Sequence, residues 1–169
     1  MFFKPIVRKN NKLYLLDQRV LPFSEKYVEV KTVKKLYTAI KNMTVRGAPA
    51  IGISAAYGLA LSALNLEGKD IYELKQKWNK DGEFLKSARP TAVNLMWAVD
   101  RILSEVEKLC NSKISVSKLQ KEVVNLAKTI HKEDVEMGLK MAEFGYPLLK
   151  DRKGIITHCN AGGLATGGF

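Results

Sequence analysis

Three short segments carry residues that could do chemistry. The first is Val45-Arg46-Gly47-Ala48-Pro49-Ala50-Ile51-Gly52. An arginine stands just before a helix start, among residues small enough to let a ligand approach the backbone. Unpaired amides, the helix dipole and a guanidinium together make an anion site. The segment has no Gly-Lys-Ser/Thr and is not a Walker-type loop. The second is Ala88-Arg89-Pro90-Thr91-Ala92-Val93-Asn94, again an arginine directly before a proline-started helix. The third is Thr157-His158-Cys159-Asn160-Ala161-Gly162-Gly163, where an apolar strand runs into a cysteine-bearing, glycine-rich turn. Consecutive strand residues point to opposite faces, so His158 and Cys159 are not expected to act as a dyad. Cys159 falls at the carboxyl end of its strand, where α/β sheets bind ligands. A helix N-terminus after the turn would favour its thiolate.

Each segment also has a plainer reading. Arg46 could be a solvated arginine on a surface loop, Arg89 an exposed arginine at an ordinary helix start, and Cys159 a small buried hydrophobe. Two arginine-then-helix arrangements in one chain favour a joint grip on one anion. Other candidates are weaker. Cys110 ends a helix and is expected to be structural. His131, in Ile130-His131-Lys132-Glu133-Asp134, is expected to be a solvated helix residue. Asp17-Gln18-Arg19 is expected to pair internally rather than line a site.

The elements that must position these residues are bounded by composition. The 169 residues suit one domain, or one domain and a fragment. The net charge of +11 comes from 28 basic and 17 acidic residues. The lysines are scattered and form no dense basic run with interleaved aromatics, so the charge favours an anionic small substrate or an acidic second half over nucleic acid. The two cysteines form no CxxC pair, which suggests neither a disulfide framework nor a zinc site and fits a reducing cytoplasm. Met-Phe-Phe-Lys-Pro lacks the form of a signal peptide. Residues 47–66 are uncharged, but their glycines, serines and alanines read as a buried, closely packed helix rather than a membrane span.

Along the chain, residues 3–7 and 12–16 read as short strands joined by an Asn10-Asn11 turn, and residues 27–31 as a third. Thr32 can cap a helix running to about Asn42. Pro49 suits the first turn of the next helix, because its missing N–H would have no partner there. Residues 70–88 read as an amphipathic helix, with Asp81-Gly82 as a candidate break. Pro90 starts another, with Leu95, Val99, Ile102, Val106 and Leu109 on its buried stripe. Residues 117–144 form a long helix or helix pair ended by Gly145-Tyr146-Pro147. Ile155 and Ile156 then start a buried strand. The expected fold is α/β: a mainly helical N-terminal domain over residues 1–150, with short strands in 1–31 and helices in 32–146, then residues 151–169 as the first strand of a truncated Rossmann-like domain.

Taken together, the segments resemble the methylthioribose-1-phosphate isomerase family, aldose–ketose isomerases of methionine salvage. The matching stretches are Leu16-Asp17-Gln18-Arg19 with Leu21-Pro22, Met43-Thr44-Val45-Arg46-Gly47-Ala48-Pro49-Ala50-Ile51-Gly52 with Ala55-Ala56-Tyr57-Gly58, Ala88-Arg89-Pro90-Thr91-Ala92-Val93-Asn94-Leu95 with Trp97-Ala98, and Thr157-His158-Cys159-Asn160. They occur in the family's order over nearly the whole chain. The wider superfamily includes regulatory subunits of a eukaryotic initiation factor's nucleotide exchanger and ribose-1,5-bisphosphate isomerase, which share the fold without this full set of motifs.

The resemblance implies that Arg46, Gly47 and Ala48 hold substrate, chiefly its phosphate, that Arg89 does likewise, and that Cys159 stabilises the transition state. It places the proton-transferring aspartate, a substrate-binding glutamine and an Asn-Lys pair in a C-terminal domain with no counterpart here. The chain is therefore expected to supply the N-terminal part of a cytoplasmic enzyme, inactive alone and completed by a homodimer partner or a complementary C-terminal polypeptide. No metal, organic cofactor, nucleic acid or membrane is implied. An isomerase of another phosphorylated pentose, such as 5-deoxyribose 1-phosphate, and a non-catalytic regulatory subunit are the alternatives.

Overall fold

The computed structural model describes residues 4–64, 70–112 and 114–169. It is a helical domain with a small antiparallel sheet. The strands are β1 (Ile6–Lys9), β2 (Lys12–Leu16) and β3 (Tyr27–Val30), in that order across the sheet. Asn10 and Asn11 both adopt positive φ, 49° and 59°, so a two-residue turn sets Lys9 opposite Lys12. That is the turn whose twist matches paired strands. Phe3, read as the start of the first strand, lies outside the described residues.

Among the described residues five helices follow: α1 (Val33–Lys41), α2 (Ala48–Leu64), α3 (Ile71–Lys86), α4 (Val93–Cys110) and α5 (Val116–Leu149). Thr32 caps α1 as its sequence suggests, its hydroxyl accepting from Lys35 N–H at 3.1 Å. Helix α2 is the hub. All its residues from Ala50 to Ala63 are buried, against α1, α3, α4, α5 and β2. Its alanines and glycines let these neighbours close in, and the fully buried Ile53, Leu59, Leu95 and Ile102 at the contacts contribute about 1.5–3 kcal/mol each. The end of the expected uncharged helix, at Asn65 and Leu66, lies outside the described residues. No helix among the described residues is long and apolar enough to cross a membrane.

Several boundaries differ from the sequence reading. Helix α3 is not interrupted at Asp81-Gly82. The Asp81 carboxylate is buried, accepting from Ser62 Oγ and Lys77 Nζ, while Gly82 faces Val99 and Leu103 of α4. Pro90 does not start α4. Arg89 C=O accepts from Ala92 N–H at 2.9 Å, closing a turn with Pro90 at its second position, where a fixed φ fits. The helix begins at Val93.

Helix α5 is one helix of 34 residues, about 51 Å long. It runs through Pro147 because only its last turn is affected, and Lys150 N–H still reaches Tyr146 C=O. Its buried stripe stops at Ile130, so the second half projects beyond the core. Ile155 and Ile156 are exposed and unpaired, and residues 151–169 contain no strand. A strand exists only against a neighbour, and nothing here supplies one.

Candidate functional site

The loop before α2 is held from two sides. Thr44 N–H and Oγ1 both donate to Asn42 Oδ1, and Thr44 C=O accepts from Gln18 N–H at 3.0 Å. Val45 is fully buried beneath it, leaving Arg46 exposed on top. Gly47 sits at φ +96°, and a Cβ there would lie 2.6 Å from the Ala165 carbonyl oxygen. Only glycine fits, on both backbone conformation and space. Ala165 C=O accepts from Ala50 N–H at 3.0 Å.

The glycine-rich segment therefore lies across the first turn of α2. This corrects the expectation of open amides there. Pro49 has no N–H and Ala50 has given up its own, which leaves Gly47 and Ala48 N–H without protein acceptors among the described residues.

The start of α4 meets the start of α2 directly. A Cβ on Gly52 would lie 2.6 Å from the Asn94 carbonyl oxygen, so the first turns of the two helices touch. The two arginine loops thus open at one end of the domain. Ala92, the α4 N-cap, makes no side-chain cap. Neither the Arg46 nor the Arg89 guanidinium has a hydrogen-bonding or ionic partner among the described residues, whereas Arg19 and Arg101 are each locked to a carboxylate. Beside the crossing is a largely apolar cavity of about 420 Å³, lined by Gly52, Ile53, Asn94, Trp97 and Met137 among others.

Cys159 is exposed with φ 65°, in a bend rather than at the end of a strand. The opposite-faces reading of His158 and Cys159 therefore lapses. Residues 161–169 themselves form turns and bends rather than the expected helix start. What the structure does fix is the part just beyond. Gln18 Nε2 donates to Leu164 C=O at 2.7 Å. Gly167 N–H donates to Asp134 Oδ2 at 2.6 Å, and Gly167 C=O lies 2.7 Å from His131 Nε2. His131 Nδ1 is 3.0 Å from Tyr57 Oη.

Asp17 and Arg19 pair as expected, through two bonds of 2.8 and 2.7 Å, and the guanidinium holds the Asp17 carboxyl below its ordinary range. Gln18, between them, does not join that pair but faces the site. His131 is not a solvated helix residue. It is half-buried and bonded on both ring nitrogens. Two sequence signals pointed this way. A tyrosine within an all-buried helix needs a hydroxyl partner, and His131 and Asp134 are three residues apart, continuing the face that carries Ala127 and Ile130. Cys110 closes α4 half-buried, and burial pushes its thiol pKa up, as befits a structural cysteine.

Comparison with known proteins places this geometry. The methylthioribose-1-phosphate isomerase of Thermoanaerobacter sp. (strain X514) is 44% identical over 166 residues, covering 98% of this chain and 48% of the relative. The 5-deoxyribose 1-phosphate isomerase of Petrotoga mobilis is 39% identical over 159 residues, covering 94% of this chain and 45% of the relative. The chain thus spans about half the length of the curated relatives it matches.

Among solved structures, 5-methylthioribose 1-phosphate isomerase from Pyrococcus horikoshii superposes with TM-score 0.88 at 42% identity, over 96% of this chain and 45% of that one. The delta subunit of translation initiation factor eIF-2B from A. fulgidus superposes with TM-score 0.84 at 40% identity, over 97% and 47%. A family profile matches residues 44–166, from the loop before Arg46 through the glycine-rich segment, and the chain belongs to the initiation factor 2 subunit family.

Proposed function

We propose that this chain supplies the phosphate-binding half of an aldose–ketose isomerase that converts 5-methylthioribose 1-phosphate to 5-methylthioribulose 1-phosphate. One observation carries the reading: two arginines without protein partners open from touching helix starts, with the cysteine-bearing segment docked over one of them. The isomerase names of the relatives support it.

A sugar carrying phosphate on C1 is closed as a phosphate acetal and cannot open as a free aldose does. The C1–O4 bond must break and O4 take a proton. A hydrogen then moves from C2 to C1, and O2 releases its proton as C2 becomes a carbonyl. Arg46 and Arg89, with the Gly47 and Ala48 amides, clamp the phosphate so that the ester survives ring opening. Cys159 stands beside the reacting carbons and stabilises the transition state. Proton transfer needs a positioned carboxylate, which in this reading lies outside the chain. Residues 151–169 open the Rossmann-like domain that carries it, and the enzyme is a cytoplasmic homodimer.

The test is formation of the ketose phosphate by the complete polypeptide; no turnover with any 1-phosphorylated pentose refutes the reading. The Petrotoga relative supports 5-deoxyribose 1-phosphate as a second substrate reading, and a panel of the two sugars separates them. The A. fulgidus structure supports a non-catalytic subunit as the alternative class, which predicts no turnover of either.

A further inference from the structure

Gly167 is gripped at both backbone groups. Asp134 can only accept, and takes its N–H. A carbonyl can only accept, so His131 carries its hydrogen on Nε2 and donates to Gly167 C=O. Its Nδ1 is then an acceptor for Tyr57 O–H, and all three groups are satisfied in one tautomer. The fit is close: a Cβ on Gly167 would lie 2.7 Å from His131 Cδ2 and 3.0 Å from Asp134 Oδ2. Three residues earlier, Gln18 binds Leu164 C=O, and between them Ala165 C=O closes on Ala50 N–H.

Three residues of the segment, Leu164, Ala165 and Gly167, are thus fixed from three directions, by the loop after β2, the start of α2 and the middle of α5. Cys159, five residues before Leu164, makes no such contact of its own. Leu164 is the first residue after Cys159 that a bond to another element holds among the described residues.

We propose that Asp134 and His131 are positioning residues: by holding both backbone groups of Gly167 they fix the glycine-rich segment across the start of α2, and so set where Cys159 stands relative to an anion held by Arg46. The catalytic part of this inference rests on the isomerase reading above.

The test compares Asp134→Ala, His131→Ala, Asp134→Asn and His131→Gln in the complete polypeptide, by amide hydrogen exchange and steady-state kinetics. The alanine variants should speed exchange of residues 164–169, and of the Ala50 amide that Ala165 C=O covers, by about fivefold or more, with exchange in the rest of α2 and in α4 unchanged. Their kcat should fall by a similar factor while KM stays within about twofold. Asparagine keeps an acceptor for Gly167 N–H and glutamine keeps a donor for its carbonyl, so both should restore most of kcat. Unchanged exchange in both alanine variants would overturn the proposal, as would faster exchange with kcat intact. Absence of turnover in the parent protein would count against the isomerase reading alone, because the exchange experiment still decides whether these side chains hold the segment.

Discussion

Arg46 and Arg89 differ from Arg8, Arg19 and Arg101 in what their guanidiniums touch. The latter three are bonded to Asn11, Asp17 and Glu133, while the former two meet no protein partner among the described residues. A charge-assisted bond to phosphate is worth about 1.5–3 kcal/mol, so Arg46→Ala or Arg89→Ala in the complete polypeptide should raise KM about 10- to 150-fold. Arg89→Lys should recover only part of this, since an ammonium cannot present a planar fork. Normal KM in both alanine variants would remove the phosphate role. These arginines were legible in the sequence because each stands within a few residues of a helix start. Gln18 was not, and spacing alone put His131 and Asp134 on the face of Ala127 and Ile130 without naming what they hold, since the partners of all three are backbone atoms 33 to 146 positions away, a relation that local spacing does not carry.

Also at this scale, Arg19 holds the Asp17 carboxyl below its ordinary value, and Arg101 does the same to Glu133. A lowered folded-state pKa means that each pair stabilises the fold fully above the ordinary values of 3.8 and 4.5. The contribution is lost as the pH falls below them through the folded-state values. Thermal melts of the parent and of a combined Arg19→Met, Arg101→Met variant should therefore differ most near neutrality and converge as the pH falls well below 3.8, the lower of the two ordinary values. A constant difference across that window would show that the pairs do not contribute.

At the scale of elements, the decisive contact is the crossing of α2 and α4. Adding a Cβ at Gly52 pushes it against the Asn94 carbonyl, which belongs to a helix and cannot swing aside. Gly52→Ala should cost about 1–3 kcal/mol in urea unfolding and splay the two arginine loops. Gly145→Ala is the control. Nothing lies within 4 Å of a Cβ there, so the better helix former should stabilise α5 by up to about 1 kcal/mol. If both substitutions shifted stability in the same direction, the close approach would not be what requires Gly52. Periodicity, caps and the asparagine turn revealed most of these elements. The strand expected at Ile155 and Ile156 failed because pattern shows which residues could be buried, not whether a covering neighbour exists.

For the whole molecule, the outer half of α5 poses the remaining physical problem. Met141, Phe144 and Leu148 are 62%, 72% and 74% exposed and line, with Met137, an open groove of about 650 Å³. Isolated soluble domains rarely leave so large an apolar patch uncovered. In a chain that spans half of its relatives' length, that surface should draw copies together. The net charge of +11 opposes this, and the repulsion reaches about 10 Å at 0.1 M salt but only about 3 Å at 1 M. The 169-residue chain should therefore associate more strongly as salt rises, the reverse of an ion-paired interface. Sedimentation velocity over a salt series checks the sign. Phe144→Ser with Leu148→Ser should keep the chain monomeric throughout without lowering its melting temperature, because neither side chain is part of the buried core. A parent chain that stayed monodisperse and monomeric across the series would show that α5 is stable without a cover.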